Sequence, residues 1–460
     1  MWIPLTDWGR KKRRTAFKRL PRPSPSAGTR QPLYLSMSDR TGGQKDSQAE
    51  MPAAAATAFR LSPVIIWLGI VSMMTDISSE SVAAILPLYV TGFLGLSTIA
   101  FGIIDGINQG ASAIVRIAAG WVSDRTGQPK RVAVAGYGLS MVARIGFLFA
   151  GGFWTIAGIV TGDRIGKGIR TAPRDALISE AAQPEHLARS FGVHRMLDSV
   201  GAATGPLLAF LVLVLIPNGF STVFIVSLAF SAIGVAVLVL IVPGRRRGPA
   251  VAATSARRPR FQWSQLRWGP LKEQGLARLM LTAGLLGLLT IGDGFIYLIL
   301  HDRGSFAVQY FPLLYVGTNV VFLLFAIPLG KLADRWGRIP VFLGGHLALL
   351  ACYVLAALPF GGLGSTIGCL LLLGVFYAAT DGVLAAMVSR LTRAENLATA
   401  LGTAQTVVAL SRMAAAAGFG VLWYLVGPVT AVLCVAGLLT AALAAGTVLL
   451  GGARRWAAAP

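Results

Sequence analysis

The chain has 460 residues, a length that would make about three soluble domains. Hydrophobic residues make up 55% and charged residues 13%, against roughly 25% charge in a soluble domain, so a solvated surface of normal size is excluded. The net charge of +22 would suit a nucleic-acid partner, but the basic residues recur in alternate loops of an apolar chain, which points to a membrane instead.

Residues 1–60 open with Arg10, Lys11, Lys12, Arg13 and Arg14 and continue through a stretch rich in Pro, Ser and Gly. No apolar segment follows these charges as in a cleavable leader, so the stretch reads as a disordered basic cytoplasmic tail drawn to anionic lipid. Translation starting at Met37 or Met51 is the other reading. From Pro63 to Leu450 apolar runs of about twenty residues recur, each long enough to cross a hydrocarbon core of about 30 Å. Backbone in lipid must satisfy itself, and the runs lack strand alternation, so they are helices. The predicted spans are 63–90, 97–122, 131–150, 154–180, 190–215 and 219–242. After a basic linker over 243–275 come 277–300, 308–330, 339–358, 366–389, 400–425 and 429–450, and a tail over 451–460 follows. The expected fold class is all-α integral membrane: twelve transmembrane helices as two six-helix bundles, over 61–242 and 276–450.

Loop charge sets the orientation. Arg125, Lys130 and Arg131, then Arg189, then the linker arginines, Lys331, Arg335 and Arg338, Arg390 and Arg393, and Arg454 and Arg455 fall in alternate loops, and the loops between them are nearly uncharged. That asymmetry puts both termini in the cytoplasm of a multi-pass plasma-membrane protein. Cys352, Cys369 and Cys434 all lie inside apolar runs without metal-ligand spacing, so neither a metal nor a disulfide framework is expected. An internal repeat supports the six-plus-six division. Gly120-Trp-Val-Ser-Asp-Arg-Thr-Gly127 returns as Gly330-Lys-Leu-Ala-Asp-Arg-Trp-Gly337, displaced by 210 residues. At the same displacement Glu185-His-Leu-Ala-Arg-Ser-Phe-Gly192 becomes Glu395-Asn-Leu-Ala-Thr-Ala-Leu-Gly402. Parallel repeats place a binding site between the halves near the bilayer midplane.

Over residues 60–450 the chain resembles the major facilitator superfamily. Gly120, Asp124, Arg125 and Gly127 resemble its loop 2–3 signature, and Gly330, Asp334, Arg335, Gly337 and Arg338 the second-half copy at loop 8–9. The glycines permit a tight turn, while each aspartate suits a helix N-terminus and an arginine, a latch on the cytoplasmic side. The plainer alternative is that these charges only enforce topology. In predicted helix 4, Arg164-x-x-x-Gly168 resembles the superfamily's fourth-helix motif, which implies a part for Arg164 in proton coupling. The string from Gly166 to Asp175, with Thr75-Asp76-Ile77-Ser78-Ser79-Glu80, resembles a largely uncharacterised prokaryotic subgroup. In helix 5, Gly201, Gly205 and Pro206 resemble the antiporter motif of drug/proton exchangers, but Ala209-Phe210 stands where that motif ends in two glycines. Close helix packing explains Gly201 and Gly205 equally well.

The fold that the resemblance implies lines its cavity with helices 1, 4, 7 and 10. Those helices carry Asp76 and Glu80, then Asp163, Arg164 and Lys167, then Asp293, then Asp381. Cations at 164, 167, 170 and 174 cannot all face lipid, since each costs roughly 2.5–3.5 kcal/mol or more at the bilayer centre. Arg164, Lys167 and Asp381 are therefore cavity and substrate candidates; Arg170 and Arg174, nearer the cytoplasm, are gate partners for Asp124. Asp76, near the midplane, and Glu80, one turn on, are proton-coupling candidates together with Asp293. An ion pair of Arg164 with Asp76 or Glu80 is the structural alternative. Arg144 and His346 lie on outer helices, His346 as a hydrogen-bonded packing residue. Asp105, Arg116, Asp198 and Arg412 are expected in interhelical pairs, with Arg195 and Asp198 close enough for a local one. The leading expectation is a secondary transporter working by alternating access, exporting a small organic molecule in exchange for protons as an antiporter that acts as a monomer and needs no cofactor. The runner-up is uptake of an anionic metabolite drawn by Arg164 and Lys167. A membrane enzyme is disfavoured, as no nucleophile elbow or His/Glu metal spacing falls within the helices, so no catalytic residue is assigned. A channel is disfavoured by the paired gate motifs.

Overall fold

The computed structural model describes residues 61–126, 128–183, 186–243, 274–359, 361–393 and 396–451. All of them belong to the compact unit Phe59–Pro460. Most of the predicted linker and the two predicted tails lie outside the described residues.

Among the described residues the chain forms twelve long helices and no strand. We number them α1 (Pro63–Leu88), α2 (Thr98–Thr126), α3 (Pro129–Phe147), α4 (Phe153–Ala181), α5 (Leu187–Leu215) and α6 (Phe220–Leu240). The second six are α7, in two pieces α7a (Gln274–Leu288) and α7b (Asp293–Gly304), then α8 (Pro312–Trp336), α9 (Arg338–Ala357), α10 (Leu363–Leu391), α11 (Leu397–Val426) and α12 (Pro428–Gly451). Among the described residues, ten candidate spans are long and apolar enough to cross a membrane. Helices α3 and α4 are not among them; α4 carries Asp163, Arg164, Lys167, Arg170, Arg174, Asp175 and Glu180, which only neighbouring helices can shelter from lipid. The outward surface is apolar: Leu240, Leu324, Ile327 and Val448 are all mostly exposed.

The two groups of six pack alike. In the first, α1 packs on α5 and α6, α4 on α2 and α3, and α3 on α6. In the second, α7 packs on α11 and α12, α10 on α8 and α9, and α9 on α12. The main contacts between groups are α2 with α11 and α5 with α8, which the same repeat relates to one another. Glycines let α2 and α11 touch backbone to backbone. A Cβ at Gly102 would stand 2.6 Å from the Ala416 carbonyl oxygen, and one at Gly106 2.7 Å from that of Met413. The Thr98 hydroxyl donates to the Gly420 carbonyl at 3.2 Å, so this contact reaches the end of the molecule that carries the α1–α2 loop.

The predicted span 277–300 is not continuous. Leu289 to Gly292 unwinds, and the reason is a side chain from α9. The Tyr353 hydroxyl donates to the Leu289 carbonyl at 3.1 Å and accepts from the Ile291 amide at 2.7 Å, replacing two backbone partners that lipid cannot supply. Phenylalanine at 353 should cost about 1–3 kcal/mol, seen as a lower melting temperature of the purified protein; an unchanged melt would mean that the break sustains itself.

Candidate functional site

Helix α4 gathers the charges of the first half. Asp163 accepts from Arg144 of α3 at 2.9 Å and lies 3.3 Å from Arg164, with all three side chains under a tenth exposed. Arg144 also donates from Nε to the Ser78 hydroxyl at 3.2 Å, and Ser227 of α6 donates to the Ser78 carbonyl at 2.8 Å. One buried carboxylate thus anchors a hydrogen-bonded chain that links four helices. The alternative pairing of Arg164 with Asp76 or Glu80 is not found, because Arg164 turns to its neighbour Asp163.

Asp76 lies 3.7 Å from Arg170 instead, and the Arg170 guanidinium stacks 4.6 Å over the Tyr137 ring. One turn further along α4, Arg174 donates to Ser72 at 2.9 Å, pairs with Asp175 at 3.0 Å and stands 3.9 Å from Asp198 of α5. Arg195 is 3.9 Å from Asp198, the local pair that their spacing predicts. Glu80 is half-buried and in no ion pair among the described residues, and Lys167 is half-buried between the arginines.

In the second half the break in α7 organises the site. Asp293 is the first residue of α7b, where a carboxylate suits the helix dipole. It accepts from the Tyr377 hydroxyl of α10 at 2.8 Å. Arg412 of α11 lies over the rings of Tyr377, at 5.4 Å, and Phe376. Tyr297 donates to Thr318 at 2.7 Å and packs edge-on against Tyr315, their centroids 4.6 Å apart. Asp381, in the second half of α10, is exposed. The tyrosines and the break were not anticipated; Thr290-Ile291-Gly292-Asp293-Gly294, poor in helix formers, was their signal.

A model of the Major Facilitator Superfamily matches residues 67–416. The chain belongs to this superfamily. An uncharacterised MFS-type transporter of Methanocaldococcus jannaschii is 29% identical to this facilitator over 373 residues, 79% of this chain and 89% of that one. An uncharacterised protein of Mycobacterium tuberculosis is 29% identical over 294 residues, 62% of this chain and 68% of that one. Among solved structures the fold matches the nucleoside transporter NupG, with a TM-score of 0.69 at 16% identity over 84% of this chain and 99% of that one. It also matches a peptide transporter POT, with a TM-score of 0.68 at 17% identity over 86% and 95%. The facilitator is therefore a multi-pass membrane protein and a secondary transporter, not an enzyme, and its cargo is a small molecule.

Of the superfamily's two loop motifs, the first falls partly beyond description. The side chains of Asp124 and Arg125, and Gly127 as a whole, lie outside the described residues. Gly120 is in ordinary contact with Ala172 of α4, at 3.5 Å from a Cβ built on it. In the second motif Asp334 is 3.5 Å from Arg338, whose guanidinium also donates to the Ala386 carbonyl of α10. Gly337 has φ 98°, a conformation that glycine alone adopts freely, while Gly330 faces open space and Arg335 is exposed. In the facilitator's α5, Cβ atoms on Gly201 and Gly205 would stand 2.5 and 2.8 Å from the backbone of α1 at Met73 and Ser81, and Pro206 follows within the helix. His346 is buried, its Nδ1 2.9 Å from the Phe342 carbonyl.

Proposed function

We propose that this transporter exports a small organic molecule in exchange for protons. Its bundles, 61–242 and 276–450, rock about the α2–α11 and α5–α8 contacts. The observation that carries the proton coupling is the setting of Asp293. Its hydrogen-bond partner is a neutral hydroxyl, that of Tyr377 at 2.8 Å, and it is in no ion pair among the described residues. A hydroxyl serves both the carboxyl and the carboxylate, whereas a guanidinium favours only the ion. Asp293 is thus chemically able to take and return a proton. Asp76 and Glu80 complete the candidate set, and a proton on Asp76 loosens Arg170, which then serves the cytoplasmic gate with Arg174.

The alternation of basic and neutral loops supports cytoplasmic termini in the plasma membrane, which makes the α1–α2 end the outer one. The loop motifs around Asp124 and Asp334 then latch the inner end. Uptake of an anion is the weaker reading. It needs Arg164 and Lys167 for the cargo, and Arg164 is already held by Asp163 at 3.3 Å.

A screen of small organic molecules for thermal stabilisation identifies the cargo, since a binder at a hundred times its Kd adds about 2.7 kcal/mol. In proteoliposomes an imposed pH gradient should then drive that binder uphill, opposite to proton flow. Asp76→Asn should abolish the uphill movement and spare equilibrium exchange. Movement indifferent to the gradient would overturn proton coupling, and accumulation along the proton flow would favour uptake.

A further inference from the structure

The break in α7 seats a carboxylate of the first half on the backbone of the second. Asp105 is seven residues into α2, about 10 Å from its outer end at 1.5 Å per residue. A Cβ on Gly292 would stand only 2.1 Å from Asp105 Oδ2, so that oxygen rests on the bare Cα of a glycine inside the break. It is buried and has no hydrogen-bond partner. The sequence places Asp105 among residues expected in interhelical pairs, yet among the described residues it forms no ion pair. Packing against Gly292 takes the place of a cation.

Each neighbouring element contributes a charged or titratable group. Asp293 faces Asp105 from α7b, Tyr315 from α8 and Arg164 from α4, while Gln109, one turn further on its own helix, hydrogen-bonds to the Asp105 carboxyl; Glu80 of α1 faces Tyr315. Arg412 of α11 is turned to the Tyr377 and Phe376 rings. Arg164 is shared with Asp163, and the carboxyl group of Asp293 repels an ionised neighbour. Gln109 hydrogen-bonds to the carboxyl, but Oδ2 itself stays buried without a donor, and negative charge on that oxygen carries a desolvation penalty. A neutral carboxyl does not.

We propose that Asp105 is a proton-binding site that fills when the outer end closes, so that seating of α2 on Gly292 and protonation of Asp105 are a single event. When the outer end opens, Gly292 withdraws, water reaches Oδ2 and the proton leaves. This inference rests on the proton-coupled reading above and adds a coupling site at the contact between the halves, apart from the Asp76 and Glu80 pair on α1.

Two spin labels report the outer end directly without any cargo. Ser97→Cys and Ala307→Cys are exposed positions on the α1–α2 and α7–α8 loops, placed in a full-length chain with Cys352, Cys369 and Cys434 changed to alanine. Pulsed EPR distances in lipid nanodiscs are measured from acid to alkaline pH. The separated population should rise with pH, its ratio to the closed one changing by up to about tenfold per unit for a single proton. Asp105→Asn, a permanent neutral mimic, should stay closed at every pH. Gly292→Ala should stay open at every pH, because its methyl takes the place of Oδ2, and it keeps the test decisive if Asp105→Asn fails to fold. A full pH response in Asp105→Asn, or a closed Gly292→Ala, would overturn the site and leave Asp293 as the proton carrier, which Asp293→Asn then tests in the same assay. If the parent protein itself ignores pH, the proton-coupled reading falls along with the site.

Discussion

Asparagine at position 163 should cost the folded transporter about 3–5 kcal/mol, the usual consequence of removing one partner from a buried ion pair. Two guanidiniums depend on that carboxylate, Arg144 at 2.9 Å and Arg164 at 3.3 Å, and the substitution leaves both buried without their counter-charge. Arg144→Met should cost less, because Arg164 still neutralises Asp163. The two changes together should be milder than the sum, since methionine at 144 removes one of the two stranded cations. Thermal melting in mild detergent distinguishes these cases. If Asp163→Asn melts like the parent, the carboxylate is no structural hub.

Much of the fold was legible because hydropathy reports directly on lipid. Each predicted span overlaps an observed helix, including α3 and α4, whose charge lowers their apolar signal. The spans there came from apolar runs like the others, and the repeat at 210 residues supported the six-plus-six division without requiring each helix to be strongly apolar. The break in α7 escaped for a related reason. Hydropathy does not register a backbone discontinuity when the residues around it stay apolar, and Leu288, Leu289 and Ile291 are apolar. Its splint, Tyr353, comes from a helix more than sixty residues away in sequence.

Partner choice among the charges was far less legible. Cations at 164, 167, 170 and 174 occupy successive positions around one helix, and a rotation of α4 by a single residue would change which of them reaches Asp76. Helix rotation is set by packing against neighbours. Here Gly136 and Gly166 fix it, because a Cβ on either would fall within 2.8 Å of the other helix's atoms. That contact aims Arg170 at Asp76 and leaves Arg164 to Asp163. The i, i+3 pair of Arg195 and Asp198 needed no such knowledge, being internal to one helix, and it was foreseen.

Leucine at Gly102 should stop transport while leaving a folded, inserted protein. The α2–α11 contact is built from backbone: a Cβ on Gly102 would stand 2.6 Å from the Ala416 carbonyl oxygen and 3.0 Å from the Gly420 Cα. No rotamer escapes a clash that begins at Cβ, so the outer end cannot close around a larger residue. Each half keeps its own packing, and the proposed cycle opens this contact once per turnover, so the open form is one that the protein already visits. The substitution therefore shifts a population rather than destroying a fold. Ala416 is fully buried, and Ala416→Cys should resist a membrane-impermeant maleimide applied from outside. With Gly102→Leu added, the same cysteine should label rapidly while cargo exchange falls to background. Transport at the parent rate in Gly102→Leu would show that the two halves need not meet here, and rocking about α2–α11 would have to be abandoned.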